Sequence, residues 1–290
     1  MHTPLINGLS ESQMNAFSAV LASANVPFRS QKSRGEWSIH VEDAHVEHAR
    51  HILSEYLYEN QPVDTAVDTV DEPSTKTLSG VWAGGMLAAV YIAAGRGKNL
   101  DVFIKSFGSS ASEIVEGDFY RTATSLFFHG DAGHLVGNMV CIALFGTAVC
   151  GITGWGVGWL MILFGGMSGN LLNAFFYQSG HISIGASTAV FGAVGILSGY
   201  QFMNRAKRSG QSGWRKSAWL PIACGLALLA FLGAGEYTDI MAHLFGFMSG
   251  LLLGVGYAAI IRRPLSSVFQ YISVSIVLGV LTLSWIQGLG

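Results

Sequence analysis

Charged residues are scarce in this sequence. Only 12% of its 290 residues are Asp, Glu, Lys or Arg, whereas 50% are hydrophobic, and ordinary soluble domains contain about 25% charged residues. A soluble globular protein is therefore a poor interpretation. The 37 glycines show no Gly-X-Y period and lie inside apolar runs, which excludes collagen and is typical of membrane helices. The composition indicates a polytopic membrane protein.

Cysteine and clustered basic residues are scarce as well. The three cysteines, Cys141, Cys150 and Cys224, lie in apolar stretches without Cys-x-x-Cys spacing, so we interpret them as packing residues. Basic clusters interleaved with aromatic residues do not occur, so no nucleic-acid partner is expected. The N-terminus lacks a basic region followed by an apolar core, and we expect it to remain in the cytosol rather than to be a signal peptide.

Charge is divided unevenly along the chain. Residues 1–76 contain 5 basic and 11 acidic residues, and residues 77–290 contain 11 and 7. Within the first part, helical periodicity precedes two short strands around 26–29 and 37–41, and a second helical pattern follows. We predict a small α+β cytoplasmic domain over 1–60 and a solvated, acidic linker over 61–77.

Seven apolar stretches follow, each near the length of roughly 17 to 25 residues that crosses a bilayer. They cover residues 78–95, 134–152, 156–177, 186–203, 218–235, 240–261 and 268–286. The predicted fold is an all-α polytopic bundle of seven spans, preceded by the small α+β domain.

Basic residues in short loops predict the orientation of these spans. Two such groups should be cytoplasmic, one between the fourth and fifth spans and one after the sixth: Arg205, Lys207, Arg208, Arg215 and Lys216, and then Arg262 and Arg263. This places the N-terminus in the cytoplasm and the C-terminus outside. The seven acids of the membrane half then fall on the outer side, whereas four basic residues of the first outer loop are an exception: Arg96, Lys98, Lys105 and Arg121.

Polar side chains near the outer ends of three spans are the candidate site, because polar groups within a bilayer are functional candidates. Ser187 begins the fourth span, His243 lies in the sixth, and His134 with Asn138 lies in the second. A serine nucleophile needs a base within hydrogen-bond reach and donors for the oxyanion. The convergence therefore predicts Ser187 as nucleophile and His243 as base. Taken singly, Ser187, His134 and Asn138 are more often helix caps or interhelical hydrogen-bonding groups, and a histidine such as His243 is structural about as often as functional.

Small residues make contact between the fourth and sixth spans plausible. His243 is followed on one helix face by Gly246, Gly250 and Gly254, and small residues at this spacing let helix backbones approach closely. Phe191, one turn after Ser187, is positioned to stack on the imidazole.

Donors for an oxyanion come from two places. The Ser187 N–H follows Gly185 at a helix start, where backbone N–H groups lack helical partners. His134 and Asn138 are four residues apart and share a helix face. Asp239 precedes His243 by one turn, and we interpret it as a solvated loop acid rather than as the third member of a triad.

Three segments resemble the rhomboid family of intramembrane serine proteases. They are residues 121–146 (RTATSLFFHGDAGHLVGNMVCIALFG), 185–192 (GASTAVFG) and 242–254 (AHLFGFMSGLLLG). The resemblance covers about 78–262 and implies a six-span protease core there, with 263–290 as an additional C-terminal span. The α+β domain is similar to the cytoplasmic domain of some bacterial rhomboids.

The resemblance implies an intramembrane serine endopeptidase with a Ser187–His243 dyad and no metal or cofactor. Its substrates would be membrane proteins cut near the outer end of a transmembrane segment, entering past the fifth span. The absence of an organellar targeting pattern and the small cytoplasmic domain favour the bacterial inner membrane as its location. Arg121 would support the first outer loop. The chain departs from the family pattern at Tyr120, which replaces a tryptophan, at Thr188, which replaces a glycine, and at Cys150, which replaces a glutamate.

Three alternatives remain open. A transporter or channel also has polar groups near mid-membrane, although it predicts ion ligands or paired charges within the spans. An inactive rhomboid relative could bind membrane proteins without cutting them. A zinc site could use the histidines at the outer side, although their spacing is unusual for zinc: His129, His134, His181 and His243.

Overall fold

The computed structural model describes residues 2–33, 35–60, 77–95, 98–208, 218–232, 238–261 and 264–289. Almost all of the predicted linker 61–77 lies outside the described residues, as do the following charged residues of the predicted loops: Arg96, Arg215, Lys216, Glu236, Arg262 and Arg263. The chain divides into two compact units, Met1–Asp71 and Glu72–Gly290. The finer division at 60, 77 and 262 stays a prediction.

The first unit is an α+β fold. Its elements are β1 (His2–Leu9), α1 (Glu11–Ser23), β2 (Phe28–Ser33), β3 (Glu36–Glu42) and α2 (Val46–Glu59). The strands form an antiparallel sheet in the order β1-β3-β2. Ile39 and Val41 alternate with more exposed residues along β3 and are fully buried with Leu21 of α1 and Leu53 of α2. Ser10 caps α1 with a reciprocal hydrogen-bond pair to Gln13, which fixes where the helix begins.

The second unit is built from helices with a short two-stranded ladder. Its first elements, in chain order, are α3 (Ser79–Ala94), α4 (Lys98–Phe107), β4 (Ser109–Ser110), α5 (Ala111–Glu116) and α6 (Arg121–Thr124). They are followed by α7 (Ala132–Thr153), α8 (Trp155–Tyr177), β5 (Ile182–Ser183), α9 (Ser187–Arg208), α10 (Leu220–Leu232), α11 (Ile240–Ile260) and α12 (Ser267–Leu289). Residues Ile142–Gly146 of α7 are π-helical.

A helix occupies each of the seven apolar stretches found in the sequence. Among the described residues, four helices are long and apolar enough to cross a membrane: α7, α8, α11 and α12. Helices α3 and α10 are apolar but shorter, and α9 is as long but ends in polar and basic residues such as Asn204, Arg205 and Lys207. The mostly helical multi-pass fold is thus confirmed, whereas the count of seven crossings and the seventh span stay predictions.

Glycine controls how closely α9 and α11 pack. A methyl group at Gly250 or Gly254 of α11 would overlap the carbonyl oxygen of Gly192 or Ile196 in α9. Gly195 and Gly199 of α9 meet backbone carbonyls of α11 in the same way. Only the hydrogen side chains of glycine fit between these backbones. Helix α9, which begins at Ser187, and helix α11, which carries His243, are therefore held in direct backbone contact.

Gln270, a buried residue of the C-terminal helix α12, makes hydrogen bonds to the rest of the bundle. The Gln270 Oε1 accepts hydrogen bonds from the backbone N–H groups of Gly156 and Val157, at 2.8 and 3.0 Å. Its Nε2 donates to the carbonyl oxygens of Thr153 and Leu265, at 3.1 and 3.2 Å. Gln270 thereby satisfies N–H groups at the start of α8 that a helix cannot satisfy itself.

Replacing Gln270 by leucine is expected to lower the free energy of unfolding by roughly 2 to 4 kcal/mol, because buried backbone groups left without partners cost about 1 to 3 kcal/mol each. Unfolding in mixed detergent micelles, followed by circular dichroism, measures this loss. Val268→Ala on the same helix is the control, because Val268 is exposed. Equal effects of the two substitutions would contradict the role given to Gln270.

Candidate active site

The contact between Ser187 and His243 is the centre of the candidate site. Ser187 Oγ and His243 Nε2 are 2.8 Å apart, a hydrogen-bonding distance. Ser187 begins α9 and His243 lies near the start of α11, so the glycine-lined packing of these helices brings the two side chains together. The ring of Phe191 lies 4.7 Å from the imidazole of His243, centroid to centroid, with 33° between their planes. This ring restricts how the buried imidazole can turn.

Gly185 shapes the segment that leads to the serine. Its φ of +123° lies in the region that favours glycine, and a Cβ there would come within 2.8 Å of the His134 ring. The Gly185 N–H donates to the carbonyl oxygen of Ser125 at 3.0 Å. Asn170 of α8 donates in turn to the Ser125 hydroxyl at 3.0 Å. These contacts fix the backbone immediately before Ser187.

His134 and Asn138 face the same cavity as Ser187 and His243. This cavity of about 180 Å³ lies among α7, α9, α10 and α11, and includes Leu228 and Leu232 of α10. Among the atoms that the structure describes, Asn138 Nδ2 is buried without a hydrogen-bond partner. A buried amide donor costs free energy unless it is satisfied, so this donor is suited to a ligand oxygen. A larger cavity of about 390 Å³ between α3, α8 and α12 has an apolar lining and none of these four side chains.

His129 is a site residue that the sequence interpretation considered only for zinc. It is fully buried, and its Nε2 accepts a hydrogen bond from the Ala186 N–H at 3.4 Å. Its ring meets that of His134 edge-on, with centroids 5.1 Å apart. Burial, and then the neighbouring His134, lower the pKa of His129 to about 4. His129 is therefore neutral in the folded protein and can accept the Ala186 hydrogen bond.

Acid is expected to destabilise the protein through His129. Its pKa rises from about 4 in the folded state to about 6.5 in the unfolded state, so the unfolded chain binds more protons below pH 6.5. Stability should therefore fall as the pH is lowered from about 6.5 to about 4. Melting temperatures across this range measure the loss, which His129→Gln should reduce. His48→Gln, at an exposed position of α2, should leave the acid-induced loss of stability unchanged. An unchanged loss in His129→Gln would contradict the role given to His129.

Asp239 corrects the sequence interpretation. It is not a solvated loop acid, because its side chain is only 11% exposed and pairs with His181 at 2.6 Å. Asp239 Oδ1 accepts from the Ala242 N–H at 3.0 Å and Oδ2 accepts from Asn173 Nδ2 at 2.6 Å. The sequence interpretation was wrong because two of these partners lie on other elements of the fold. Burial raises the pKa of Asp239, but the hydrogen bonds from Ala242 and His181 outweigh it and hold the pKa below its usual value.

Arg121 anchors the first long loop rather than the reacting groups. Its buried guanidinium pairs with Glu113 and Asp118 and donates to the carbonyl oxygens of Lys105 and Gly108, at 2.9 and 3.3 Å. Tyr120 lies beside it, with the guanidinium carbon 5.3 Å from the ring centroid. The tyrosine that departs from the family pattern thus still packs on the arginine.

The histidines proposed for zinc do not form one cluster. His129 and His134 are neighbours, but His181 pairs with Asp239 and His243 with Ser187. Among the residues that the structure describes, no group of three or more His, Cys, Asp or Glu side chains is placed to hold a metal ion.

The fold and this arrangement define a multi-pass membrane protein in which a serine and a histidine from two packed helices are in contact. The sequence model of the rhomboid domain matches residues 116–260, which is half of the chain. The chain therefore belongs to the rhomboid family.

Relatives in this family include enzymes and an inactive protein. The chain is 32% identical over 148 residues to RHOMBOID-like protein 4 of Arabidopsis thaliana, covering 51% of this chain and 36% of that protein. It is 32% identical over 111 residues to Rhomboid protease GluP of Bacillus subtilis (strain 168), covering 38% of this chain and 22% of that protein. It is also 27% identical over 143 residues to Inactive rhomboid protein 2 of Homo sapiens, covering 49% of this chain and 16% of that protein. The chain thus spans little more than a third of the length of the first of these.

Proposed function

We propose that this protein is an intramembrane serine endopeptidase. The observation that carries this proposal is the 2.8 Å contact between Ser187 Oγ and His243 Nε2. A serine hydroxyl is a weak nucleophile until an adjacent base takes its proton. Membership of the rhomboid family, in which one relative is Rhomboid protease GluP of Bacillus subtilis (strain 168), supports a protease activity.

The proposed reaction begins with proton transfer. His243 Nε2 accepts the hydroxyl proton while Ser187 Oγ attacks the scissile carbonyl carbon, and the resulting tetrahedral intermediate carries its negative charge on the former carbonyl oxygen. His243 then gives the proton to the leaving amine as the C–N bond breaks, which leaves an acyl-enzyme ester on Ser187. In the second half of the reaction His243 takes a proton from water as the water oxygen attacks the ester carbonyl, and returns a proton to Ser187 Oγ as the acyl C–O bond breaks and the carboxylic acid product leaves. Phe191 limits the rotation of the imidazole during these transfers.

The oxyanion is assigned three donors. They are the N–H of Ser187 at the helix start, the ring of His134 and the side-chain amide of Asn138, all at one cavity. The unsatisfied Nδ2 of Asn138 supports this assignment. Preorganised donors of this kind are worth roughly 3 to 4 kcal/mol each in transition-state stabilisation.

The proposed substrates are membrane proteins cut near the outer end of a transmembrane segment. Helix α10 contributes Leu228 and Leu232 to the site cavity. Phe231 of α10 and Trp219, which directly precedes the helix, are exposed. A short apolar helix beside the cavity suits sideways entry of a substrate from the bilayer. The substrate must be extended at the scissile bond, so glycine and proline, which weaken helices, should favour cleavage.

The location in a bacterial inner membrane, with the N-terminus in the cytoplasm and the C-terminus outside, is part of the proposal. It rests on the basic loops, of which Arg205 and Lys207 are among the described residues. Reporter fusions after Arg208 test it, and an external Arg208 would overturn the orientation.

An inactive membrane-protein binder is the second candidate, because the chain also matches Inactive rhomboid protein 2. The two candidates differ in whether Ser187 is activated. Fluorophosphonates react with activated serines, so labelling of the purified protein separates them.

Labelling of the wild type, with loss in Ser187→Ala and in His243→Ala, is the expected result. Ser198→Ala is the matched control, because Ser198 is a buried serine of the same helix whose hydroxyl donates to the Pro221 carbonyl oxygen. A folded wild-type protein that is not labelled would favour the inactive binder. Equal cleavage of soluble unfolded chains and membrane-anchored proteins would overturn the substrate class.

A further inference from the structure

A buried carboxylate links the two halves of the proposed dyad. Asp239 Oδ2 accepts hydrogen bonds from His181 Nε2 and Asn173 Nδ2, each at 2.6 Å, and Oδ1 accepts from the Ala242 N–H at 3.0 Å. We name Asp239, His181 and Asn173 the Asp239 cluster. Both carboxylate oxygens of Asp239 are hydrogen-bonded, Oδ2 within this cluster and Oδ1 to the Ala242 N–H, and hydrogen bonds to a carboxylate are among the strong ones in proteins.

The chain connections of the Asp239 cluster lead to both reacting groups. Asp239 is the N-cap of α11 and precedes His243 by one helical turn. His181 lies six residues before Ser187, in the segment that includes β5 and Gly185. Asn173 is buried in α8. The Asp239 cluster therefore joins the start of α11, which carries His243, to the segment that precedes Ser187. Asn173 attaches both to α8.

The position of His181 is itself fixed. Its ring stacks on that of Tyr177, with centroids 4.0 Å apart and 19° between the planes. Its carbonyl oxygen accepts from the Ala111 N–H at 2.9 Å, and β5 pairs with β4 directly after it. A displacement of Asp239 away from His181 is therefore not absorbed by a freely moving loop. It changes the separation of the two segments that hold Ser187 and His243.

We propose that Asp239 and His181 are positioning residues, whose hydrogen bond sets the distance between Ser187 Oγ and His243 Nε2. Asp239 acts through the backbone of α11, because its carboxylate oxygens are bonded to Ala242, His181 and Asn173. It is thus distinct from the acid of a triad, which bonds the imidazole directly. This inference rests on the function proposed above.

Asp239→Asn separates the hydrogen bond to His181 from the helix cap. Asparagine caps a helix about as well as aspartate, so the bond to Ala242 remains possible while the charge and one acceptor are lost. We expect kcat for a membrane-anchored substrate to fall by about 10² fold, the scale of a misplacement of about 1 Å at reacting groups. KM should stay within about twofold, because the substrate-binding cavity is unchanged.

Asp131→Asn is the matched control. Asp131 caps α7 by accepting from the His134 N–H at 2.9 Å but is exposed, and this substitution should change kcat by less than about threefold. His181→Gln should lower kcat like Asp239→Asn, and the double variant should lose no more than either single variant, because residues that act as a unit are not additive. All assays are run about 15 °C or more below the melting temperature of the least stable variant, so that every variant is folded.

The outcomes separate the two proposals. A wild type that neither cleaves nor is labelled by fluorophosphonate overturns the proposed function. A wild type that cleaves normally, with unchanged kcat in folded Asp239→Asn, overturns the positioning role alone. Multiplicative losses in the double variant also overturn it. Hydrogen exchange is an independent readout, and Asp239→Asn should accelerate it in both 181–187 and 240–243, whereas no change in either segment contradicts the linkage.

Discussion

Replacing Ser187 by alanine is expected to lower kcat for a membrane-anchored substrate by roughly 10⁵ to 10⁶ fold. Removing the nucleophile or the base of a serine protease has effects on this scale, because the pair acts as a unit. His243→Ala should cost about as much, since the hydroxyl of Ser187 then lacks the acceptor that lies 2.8 Å away. The double variant should be no slower than either single variant.

The oxyanion donors should matter less than the dyad. Asn138→Ala removes one donor and is expected to lower kcat by about 10² to 10³ fold, with KM little changed, because the donor acts on charge that develops only in the transition state. Single-turnover cleavage in liposomes measures all of these rates.

Ser198→Ala is the control for substitutions in α9 and should leave kcat within about twofold, the range of a substitution that removes no transition-state contact. A loss in Asn138→Ala as large as that in Ser187→Ala would contradict the division of roles. A loss in the double variant of Ser187→Ala and His243→Ala that equals the product of the two single losses would also contradict it.

Regular patterns in the sequence predicted most of the helical architecture. The apolar stretches at 134–152 and 240–261 correspond to α7 (Ala132–Thr153) and α11 (Ile240–Ile260), because a membrane helix leaves a continuous apolar signal. The spacing of Gly246, Gly250 and Gly254 likewise indicated the face that meets α9. These features are local in sequence, and the fold follows them directly.

Strand β1 was missed because its pattern is irregular. Its pairing with β3 shifts register between Pro4 and Ile6 and again between Ile6 and Leu9, so apolar residues do not alternate strictly along it. A search for period-two alternation therefore finds β3, with Ile39 and Val41 buried, but passes over its partner at the N-terminus.

The supporting side chains were missed for a different reason. Two of the three partners of Asp239 lie 58 and 66 residues away in sequence, and three of the four partners of Gln270 lie more than 100 residues away. His129 meets Ala186 across 57 residues. No periodicity connects such residues, so their roles emerge only when the helices are packed. The residues of the proposed dyad and oxyanion site could be singled out because serine, histidine and asparagine are conspicuous in apolar stretches.

Substituting alanine at Gly250 is expected to destabilise the protein by about 3 kcal/mol or more. The added methyl group would overlap the carbonyl oxygen of Gly192, and overpacking of a core costs roughly 1 to 3 kcal/mol even when side chains can move. Here the obstacle is backbone, so relief requires α9 and α11 to separate. Separation moves His243 away from Ser187, and cleavage should therefore be lost even in the fraction that remains folded.

Gly256→Ala on the same helix gives the opposite expectation and serves as the control. A Cβ at Gly256 meets no atom within 4 Å, and alanine is favoured over glycine in a helix by about 1 kcal/mol. Gly256→Ala should thus be neutral or slightly stabilising, with normal cleavage. Unfolding free energies in mixed micelles and cleavage rates at a temperature where both variants are folded give the comparison. If Gly250→Ala behaves like Gly256→Ala, close backbone packing is not what holds His243 against Ser187, and the contact must be maintained from the loop side, where Asp239 and His181 meet.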